Sequence, residues 1–372
     1  MVESSAVTAV KVKEPTPPMS VIAALTAGFD AATSRLELIL LPLVFDVFLW
    51  LGPHLSVQTV WQNVLGALPT PPGTEATLTQ NLETLRAALA HYAATFNLFA
   101  TLSAAPALNS AVLSILSMLQ LDPDWLMRER NSVLSFSPLG LPSLMVGRAA
   151  TLHPGGAALT WHVTDPAAYF LLWGIFLLMS LWLSAWYLGG IAQQVREARP
   201  DFRQQLKQVW GDWARLTALG VLALVATVVL GLPLAVVALV AGALSPGLFW
   251  LVASLGWTIW MWGLFYTGFT IHGLLLQRRH IFGALWDSLR LVQANLPGAL
   301  GLFLLITTTS LGLGVVWNYP PDDSWFLLIG LAGHALISTA LVAATFVFYQ
   351  DRYRWMVEVQ QALMAKQAKA KA

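Results

Sequence analysis

Hydrophobic positions fall into long uncharged runs separated by short charged clusters. Five runs reach about 20 residues or more, enough to cross ~30 Å of hydrocarbon at ~1.5 Å per helical residue. A sixth and shorter run, 36–51, carries Asp46 well inside it. The pattern predicts an all-α polytopic membrane protein with six transmembrane helices. The five long runs are 167–193, 216–243, 247–277, 297–318 and 325–350.

Composition supports the membrane class. Of the 372 residues, 57% are hydrophobic and 10% are charged, whereas soluble domains carry roughly 25% charged residues. The net charge of +1 gives no reason to expect nucleic acid binding. The sequence has no cysteine, which excludes thiolate catalysis, iron–sulfur clusters and cysteine zinc sites.

Basic residues are distributed unevenly between the two sides of the predicted membrane. If the N-terminus is inside, sixteen of the 20 basic residues lie in inner segments. By the positive-inside rule, both termini should face the cytoplasm, as in a multi-pass protein of a bacterial-type inner (plasma) membrane. An even number of spans follows. The four outer basic residues are Arg86, Arg128, Arg130 and Arg148.

An internal repeat organises the apolar runs. Residues 219–232 (LGVLALVATVVLGL) and 300–313 (LGLFLLITTTSLGL) are identical at seven of fourteen positions. The clusters GDWARL and WDSLRL precede them, and FDAATSRL precedes the first span. We therefore expect three hairpins, each preceded by an amphipathic helix, two of these being at 200–215 and 281–294. Such helices lie flat on the inner leaflet or pack under the bundle, and the sequence leaves both open.

The remaining segments complete the predicted domain organisation. Residues 1–18 are expected to be a disordered arm, 19–52 an interfacial helix with the first span, and 351–372 a charged cytoplasmic tail. Residues 53–166, here called the insertion, are too long for a connection and predict an extracytoplasmic helical domain. Its clearest element is a heptad stripe between Leu78 and Phe99. Residues 167–350 form the five-span membrane domain.

Two polar features lie inside the predicted spans. Asp46 is costly at a helix centre, by about 2.5 to 3.5 kcal/mol, so it should have a partner or be protonated. It binds a proton or cation in a pathway, or it lies hydrated beneath the insertion. Thr307, Thr308 and Thr309 are followed by Ser310. These hydroxyls serve interhelical packing or line a polar pathway.

Two span histidines each follow a glycine by one helical turn. The pairs are Gly268 with His272 and Gly330 with His334. A small residue at that spacing lets a flat macrocycle approach while the imidazole ligates its metal, so haem or a chlorophyll-type tetrapyrrole is one interpretation. Hydrogen-bonded packing and a proton relay are the others. The two histidines lie at different depths, which excludes a pair of axial ligands to one haem. We predict no catalytic residue and no metal site, since no phosphate loop, zinc motif or serine elbow occurs.

The repeated clusters GDWARL and WDSLRL, the span LGLFLLITTTSLGLGVVW and the closing FVFYQDRYRW resemble one known architecture. It is the polytopic membrane domain attached to some bacterial glycerophosphodiester phosphodiesterases and also found as stand-alone proteins. The resemblance covers mainly residues 195–356. It implies a membrane anchor or scaffold. The chain has no room for a catalytic barrel, so phosphodiesterase activity is not expected.

These observations favour a non-enzymatic accessory or scaffold protein that acts through contacts with lipids and with a protein partner or a second copy of itself. One alternative is a transporter or lipid-handling protein with a cavity involving Asp46, Thr307 to Thr309 and His334. The other is a membrane subunit that carries haem or another pigment.

Overall fold

The structure is a computed structural model. The predicted arm up to residue 16 and most of the predicted heptad helix lie outside the residues that it describes. The described residues are 17–67, 86–87, 90, 93–94, 96–103, 140–148, 152–197 and 201–371.

Most of the described chain is helical. The helices are α1 (Val21–Thr33), α2 (Glu37–Leu51), α3 (Gln58–Ala67), α4 (Pro166–Arg196), α5 (Phe202–Leu244), α6 (Pro246–Thr267), α7 (Thr270–Leu276), α8 (Ile281–Ala294), α9 (Leu296–Asn318) and α10 (Leu327–Lys371).

Five helical segments are long and apolar enough to cross a membrane. They are α4, α5, α6 continued by α7, α9 and α10. The five long runs predicted from the sequence are therefore confirmed as helices of the required length and composition. Helix α2 has only 15 residues, or about 22 Å of helix. Its role as a sixth span stays a prediction.

Helix α10 is the centre of the bundle. In its most apolar stretch 67% of the residues are buried inside the protein, against 6% in α5. Phe346, Phe348 and Tyr349 are each at most 1% exposed. Since α5 exposes most of its apolar surface, its surroundings in the membrane are lipid or another protein chain. The protein core therefore follows α10.

Helix α1 packs closely against α10. Its buried face is made of the small residues Ala24, Gly28 and Ala32, one helical turn apart, and small residues let two helix backbones approach. A Cβ added at Gly28 would lie 2.5 Å from the backbone nitrogen of Ala344. Helix α1 therefore packs against the bundle, and its position at the membrane surface stays a prediction.

Helix α2 extends between the two ends of the bundle. We call the end with the described residues of 53–165 and the 319–326 turn the insertion side, and the end with Arg279 and Arg352 the basic side. At the start of α2, Leu38 lies against Gly190, near the end of α4. At its other end, the Trp50 indole nitrogen donates to the Asp322 carbonyl oxygen at 2.7 Å. These contacts orient α2 from the basic side toward the insertion side.

The lead-in helices differ from the predicted repeat. Helix α5 continues without a break from the predicted lead-in segment into the span, whereas α8 is separated from α9 at Asn295. The third long run also breaks, at Gly268 and Phe269, between α6 and α7. There the Ser288 hydroxyl accepts from the Phe269 amide at 3.2 Å and donates to the Tyr266 carbonyl at 2.7 Å. A side chain from α8 thus satisfies the backbone groups that the break frees.

The insertion contains strands that the sequence analysis did not predict. Strand β1 (His54–Ser56) pairs in parallel with β4 (Thr160–His162), and β2 (Leu152–His153) pairs antiparallel with β3 (Gly156–Ala157). Each is two or three residues long, too short for an alternating pattern to be visible in the sequence. Among the described residues of the insertion, helix is therefore accompanied by two small sheets.

The contact between α1 and α10 predicts that Gly28→Ala destabilises the protein. The added methyl group would meet backbone atoms, which cannot rotate away as a side chain can. We expect a loss of about 1–3 kcal/mol, measured as a lower midpoint of thermal unfolding in detergent. The control is Gly220→Ala, a helical glycine with no neighbouring atom within 4 Å of the added carbon. It should be neutral or stabilising by up to about 1 kcal/mol, and equal losses in both variants would contradict the close contact.

Candidate functional site

Asp46 is fully buried and hydrogen-bonded to a distant part of the chain. Its side chain is 0% exposed. One carboxylate oxygen accepts from the Ser143 hydroxyl at 2.5 Å and from the Met145 amide at 3.1 Å. The other oxygen accepts from the Leu144 amide at 3.0 Å. The donors all come from the insertion, so Asp46 has protein partners where the sequence left open a hydrated position or a pathway.

The segment 140–148 is held inside the bundle. Leu141 and Leu144 are both 0% exposed. At the end of the segment, Arg148 donates to the Pro320 carbonyl at 2.8 Å and forms a 2.6 Å ion pair with Asp322. The segment thus has a polar anchor in α2 and another in the 319–326 turn, with apolar side chains buried between them.

His334 lies on the other side of the Asp46 carboxylate. Its Nδ1 is 3.7 Å from Asp46 Oδ2, too far for a hydrogen bond, and its Nε2 is 3.1 Å from the Ser338 hydroxyl. We call Asp46, Ser143, His334 and Ser338 the Asp46 cluster. Asp46 and His334 were candidates from the sequence, whereas the other two were missed. The spacing of four between His334 and Ser338, which places both on one helix face, was the available signal.

The order carboxylate, imidazole, hydroxyl occurs both in acyl-transfer triads and in proton relays. Here the carboxylate already accepts three hydrogen bonds, and Ser338 is only 7% exposed. A substrate would have to displace packed helices to reach that hydroxyl. The contacts of the Asp46 cluster are therefore best explained by joining α2, α10 and the 140–148 segment.

Two further polar pairs attach other helices to α10. The Tyr187 hydroxyl of α4 donates to the Thr339 hydroxyl at 3.1 Å. His272 of α7 has its Nε2 2.8 Å from the Thr345 hydroxyl. Buried polar side chains commonly join membrane helices in this way. His272 therefore has a packing partner, as one of its sequence interpretations stated.

The surroundings of the two histidines do not favour a macrocycle. The Phe346 and Tyr349 rings lie 4.3 and 5.7 Å from the His272 ring, centroid to centroid. Gly268 lies at the break between α6 and α7. A Cβ at Gly330 would be 2.7 Å from the Trp317 carbonyl oxygen, so the surface before His334 is already occupied. Tetrapyrrole ligation stays a prediction without support from these contacts.

The hydroxyl run on α9 is not part of the Asp46 cluster. Thr308 is exposed, and Thr307 and Thr309 are half-buried. No hydrogen bond from these three side chains reaches Asp46 or His334 within the part of the chain that the structure describes. The polar pathway that would have linked them is therefore not assembled among these residues.

Comparison with protein-family models, curated proteins and solved structures found no match for this chain. The resemblance to a phosphodiesterase membrane domain stays a prediction.

The hydrogen bonds of Asp46 predict that Asp46→Asn loosens the 140–148 segment. An asparagine offers one acceptor oxygen, and its amide group would face the donor N–H groups. Hydrogen bonds to a charged group contribute about 1.5–3 kcal/mol, so we expect the amides of Leu144 and Met145 to exchange at least about tenfold faster. Hydrogen–deuterium exchange of the protein in lipid nanodiscs measures this.

The matched control for that experiment is Asp30→Asn, because Asp30 is an exposed carboxylate on α1. It should leave exchange in the 140–148 segment unchanged. Unaltered protection of both amides in Asp46→Asn would show that the carboxylate does not hold the segment.

Proposed function

We propose that the protein is a multi-pass membrane scaffold or accessory subunit that presents its insertion at a fixed position on the membrane bundle. The observation that carries this proposal is the use of Asp46, the buried carboxylate of α2, as an acceptor for Ser143, Leu144 and Met145. A carboxylate that takes part in proton or ion conduction has to exchange its bound proton or ion. A carboxylate that accepts three hydrogen bonds from the same loop instead fixes the position of that loop.

The proposed contact face lies on the insertion, on strands β2 and β4 and the residue that precedes β4. Leu152, Leu159 and Trp161 are 54%, 63% and 49% exposed. Exposed large apolar side chains at neighbouring positions are typical of interaction sites. A protein partner, or a second copy of this chain, is the proposed occupant. Lipid covers the exposed sides of α5 and α6.

The proposal includes the membrane arrangement expected from the sequence. Helix α2 acts as the sixth span, and its contacts with Gly190 at one end and Asp322 at the other support that role. Three hairpins then place both termini on the basic side, which faces the cytoplasm of a bacterial-type inner membrane. The lead-in segment of α5 and helix α8 lie at that surface. Their exposed stripes, four residues apart, support this position: Phe202, Leu206 and Trp210 in the first, and Phe282 and Trp286 in the second.

The scaffold proposal predicts that the protein is purified with a stoichiometric protein partner or as a defined oligomer. The test is gentle extraction into native nanodiscs followed by native mass spectrometry. Trp161→Ser should reduce the complex at least about tenfold if its indole is a central contact, and Ile22→Ser should not. Ile22 is a suitable control because it is 71% exposed on α1, away from the insertion. A chain that is alone under every mild condition would count against a subunit role.

Transport is the second candidate function, since Asp46, His334 and Ser338 follow one another at 3.7 and 3.1 Å. Variants separate the two functions. His334→Gln removes the imidazole but retains all three hydrogen bonds to the Asp46 carboxylate. If proteoliposomes with an internal pH dye show a proton flux that disappears in His334→Gln, transport replaces the scaffold proposal. If the proton flux of the proteoliposomes equals that of protein-free vesicles, the transport function is excluded and the scaffold function is retained.

A further inference from the structure

A cleft on the basic side has a polar half and an apolar half. It has a volume of about 440 Å³ and lies between α8 and the part of α10 that follows Asp351. Arg279, Arg290 and Tyr353 contribute polar groups, and Met356 and Leu363 contribute apolar surface. This size is in the range of small-molecule sites.

The cleft has an excess of positive charge. The Arg279 guanidinium is 3.3 Å from the Asp287 carboxylate and donates to the Tyr353 hydroxyl at 2.9 Å. The Arg290 guanidinium stacks over the Trp286 ring, 5.0 Å from its centroid. Within the described chain, no carboxylate oxygen comes within 4.0 Å of Arg290. Asp287 therefore pairs with Arg279 alone, and the Arg290 guanidinium can pair with an external anion.

The backbone positions Arg279 at the cleft. The preceding residue, Arg278, has a φ of 52°, a left-handed conformation that non-glycine residues rarely adopt. This turn joins α7 to α8 and directs the chain back toward α10. A strained turn beside a charged cleft is the kind of feature that functional sites retain.

The internal repeat provides a matched reference. GDWARL aligned with WDSLRL places Asp212 opposite Asp287 and Arg215 opposite Arg290. In the first copy, Arg215 forms a 2.9 Å ion pair with Asp212. In the second copy, the acidic residue pairs with Arg279 instead. The corresponding arginine is therefore neutralised in one copy and available in the other.

The surroundings of the cleft fit a lipid better than a soluble anion. On α8, Phe282 and Trp286 are 71% and 55% exposed and precede Arg290 at intervals of four residues, so all three lie on one face. Aromatic side chains at such positions lie at the headgroup level of a membrane. Leu363, on the opposite wall, is 55% exposed. A phosphate at the guanidinium groups would have its glycerol and acyl chains next to apolar surface.

We propose that this cleft binds the phosphate of an anionic phospholipid headgroup, held by Arg279 and Arg290 with the lipid body against Met356 and Leu363. The proposal rests on the placement of the basic side at a membrane surface and not on the scaffold role. Arginine is suited to this contact because its guanidinium donates two parallel hydrogen bonds to a phosphate.

The test measures lipid binding by the full chain in detergent, using native mass spectrometry and thermal unfolding. Phosphatidylglycerol is expected to bind and to raise the unfolding midpoint, whereas phosphatidylcholine should do neither. Arg290→Gln should weaken phosphatidylglycerol binding at least about tenfold, the loss typical of one charged hydrogen bond. Arg215→Gln, the same substitution at the equivalent position of the first copy, should leave that binding unchanged.

Two further results make the test decisive. Arg290→Lys keeps the charge but loses the paired hydrogen bonds, so its binding should lie between that of the unmodified protein and that of Arg290→Gln. An unfolding midpoint equal to that of the unmodified protein in the absence of lipid confirms that a variant is folded. Equal losses in Arg290→Gln and Arg215→Gln would overturn the proposal. So would equal stabilisation by phosphatidylcholine, or stabilisation by inorganic phosphate alone, which would indicate a site for a free anion. Partner capture by the insertion is measured separately, so failure of the lipid proposal does not affect the scaffold proposal.

Discussion

The structure depends on satisfying one buried carboxylate. Asp46 lies in a helix that is apolar apart from Glu37 at its first position, and an ionised group without partners would be costly there. The hydroxyl of Ser143 and two backbone amides satisfy it, and all three belong to the insertion. For these bonds to form, the segment 140–148 must enter the bundle and bury Leu141 and Leu144. One polar requirement therefore determines where the segment 140–148 joins the membrane domain.

The same principle organises the rest of the bundle around α10. Apolar side chains gain little from exchanging lipid for other apolar side chains, so polar pairs and close backbone contacts decide which helices associate. Helix α10 provides His334 to α2, Thr339 to α4 and Thr345 to α7. Its backbone at Ala340 and Ala344 also packs closely against Gly28 of α1. Helices α5 and α6 lack comparable contacts with α10, which agrees with their exposed apolar surfaces.

The features that depend on composition could be predicted from the sequence. The features that depend on contacts between distant residues could not. Uncharged runs identified five helices that are long and apolar enough to cross a membrane, and the cost of a buried carboxylate singled out Asp46. The break at Gly268 was not predicted, because the Ser288 hydroxyl that stabilises it comes from another helix. The entry of residues 140–148 into the bundle was missed for the same reason, since its partner Asp46 is almost a hundred residues away. Thr307 to Thr309 were candidates by polarity alone, and contacts with the Asp46 cluster do not support them.

The attachment of the 140–148 segment by Asp46 is the central claim, and thiol accessibility tests it most directly. The chain has no cysteine, so a maleimide reacts only with an introduced one. In nanodiscs, where both membrane faces are open to the reagent, Met145→Cys should be protected because Met145 is 3% exposed, and Leu159→Cys should react because Leu159 is 63% exposed. Adding Asp46→Asn should make the first site reactive. If Met145→Cys is labelled as fast as Leu159→Cys with Asp46 intact, the segment is not held in the bundle and the account is wrong.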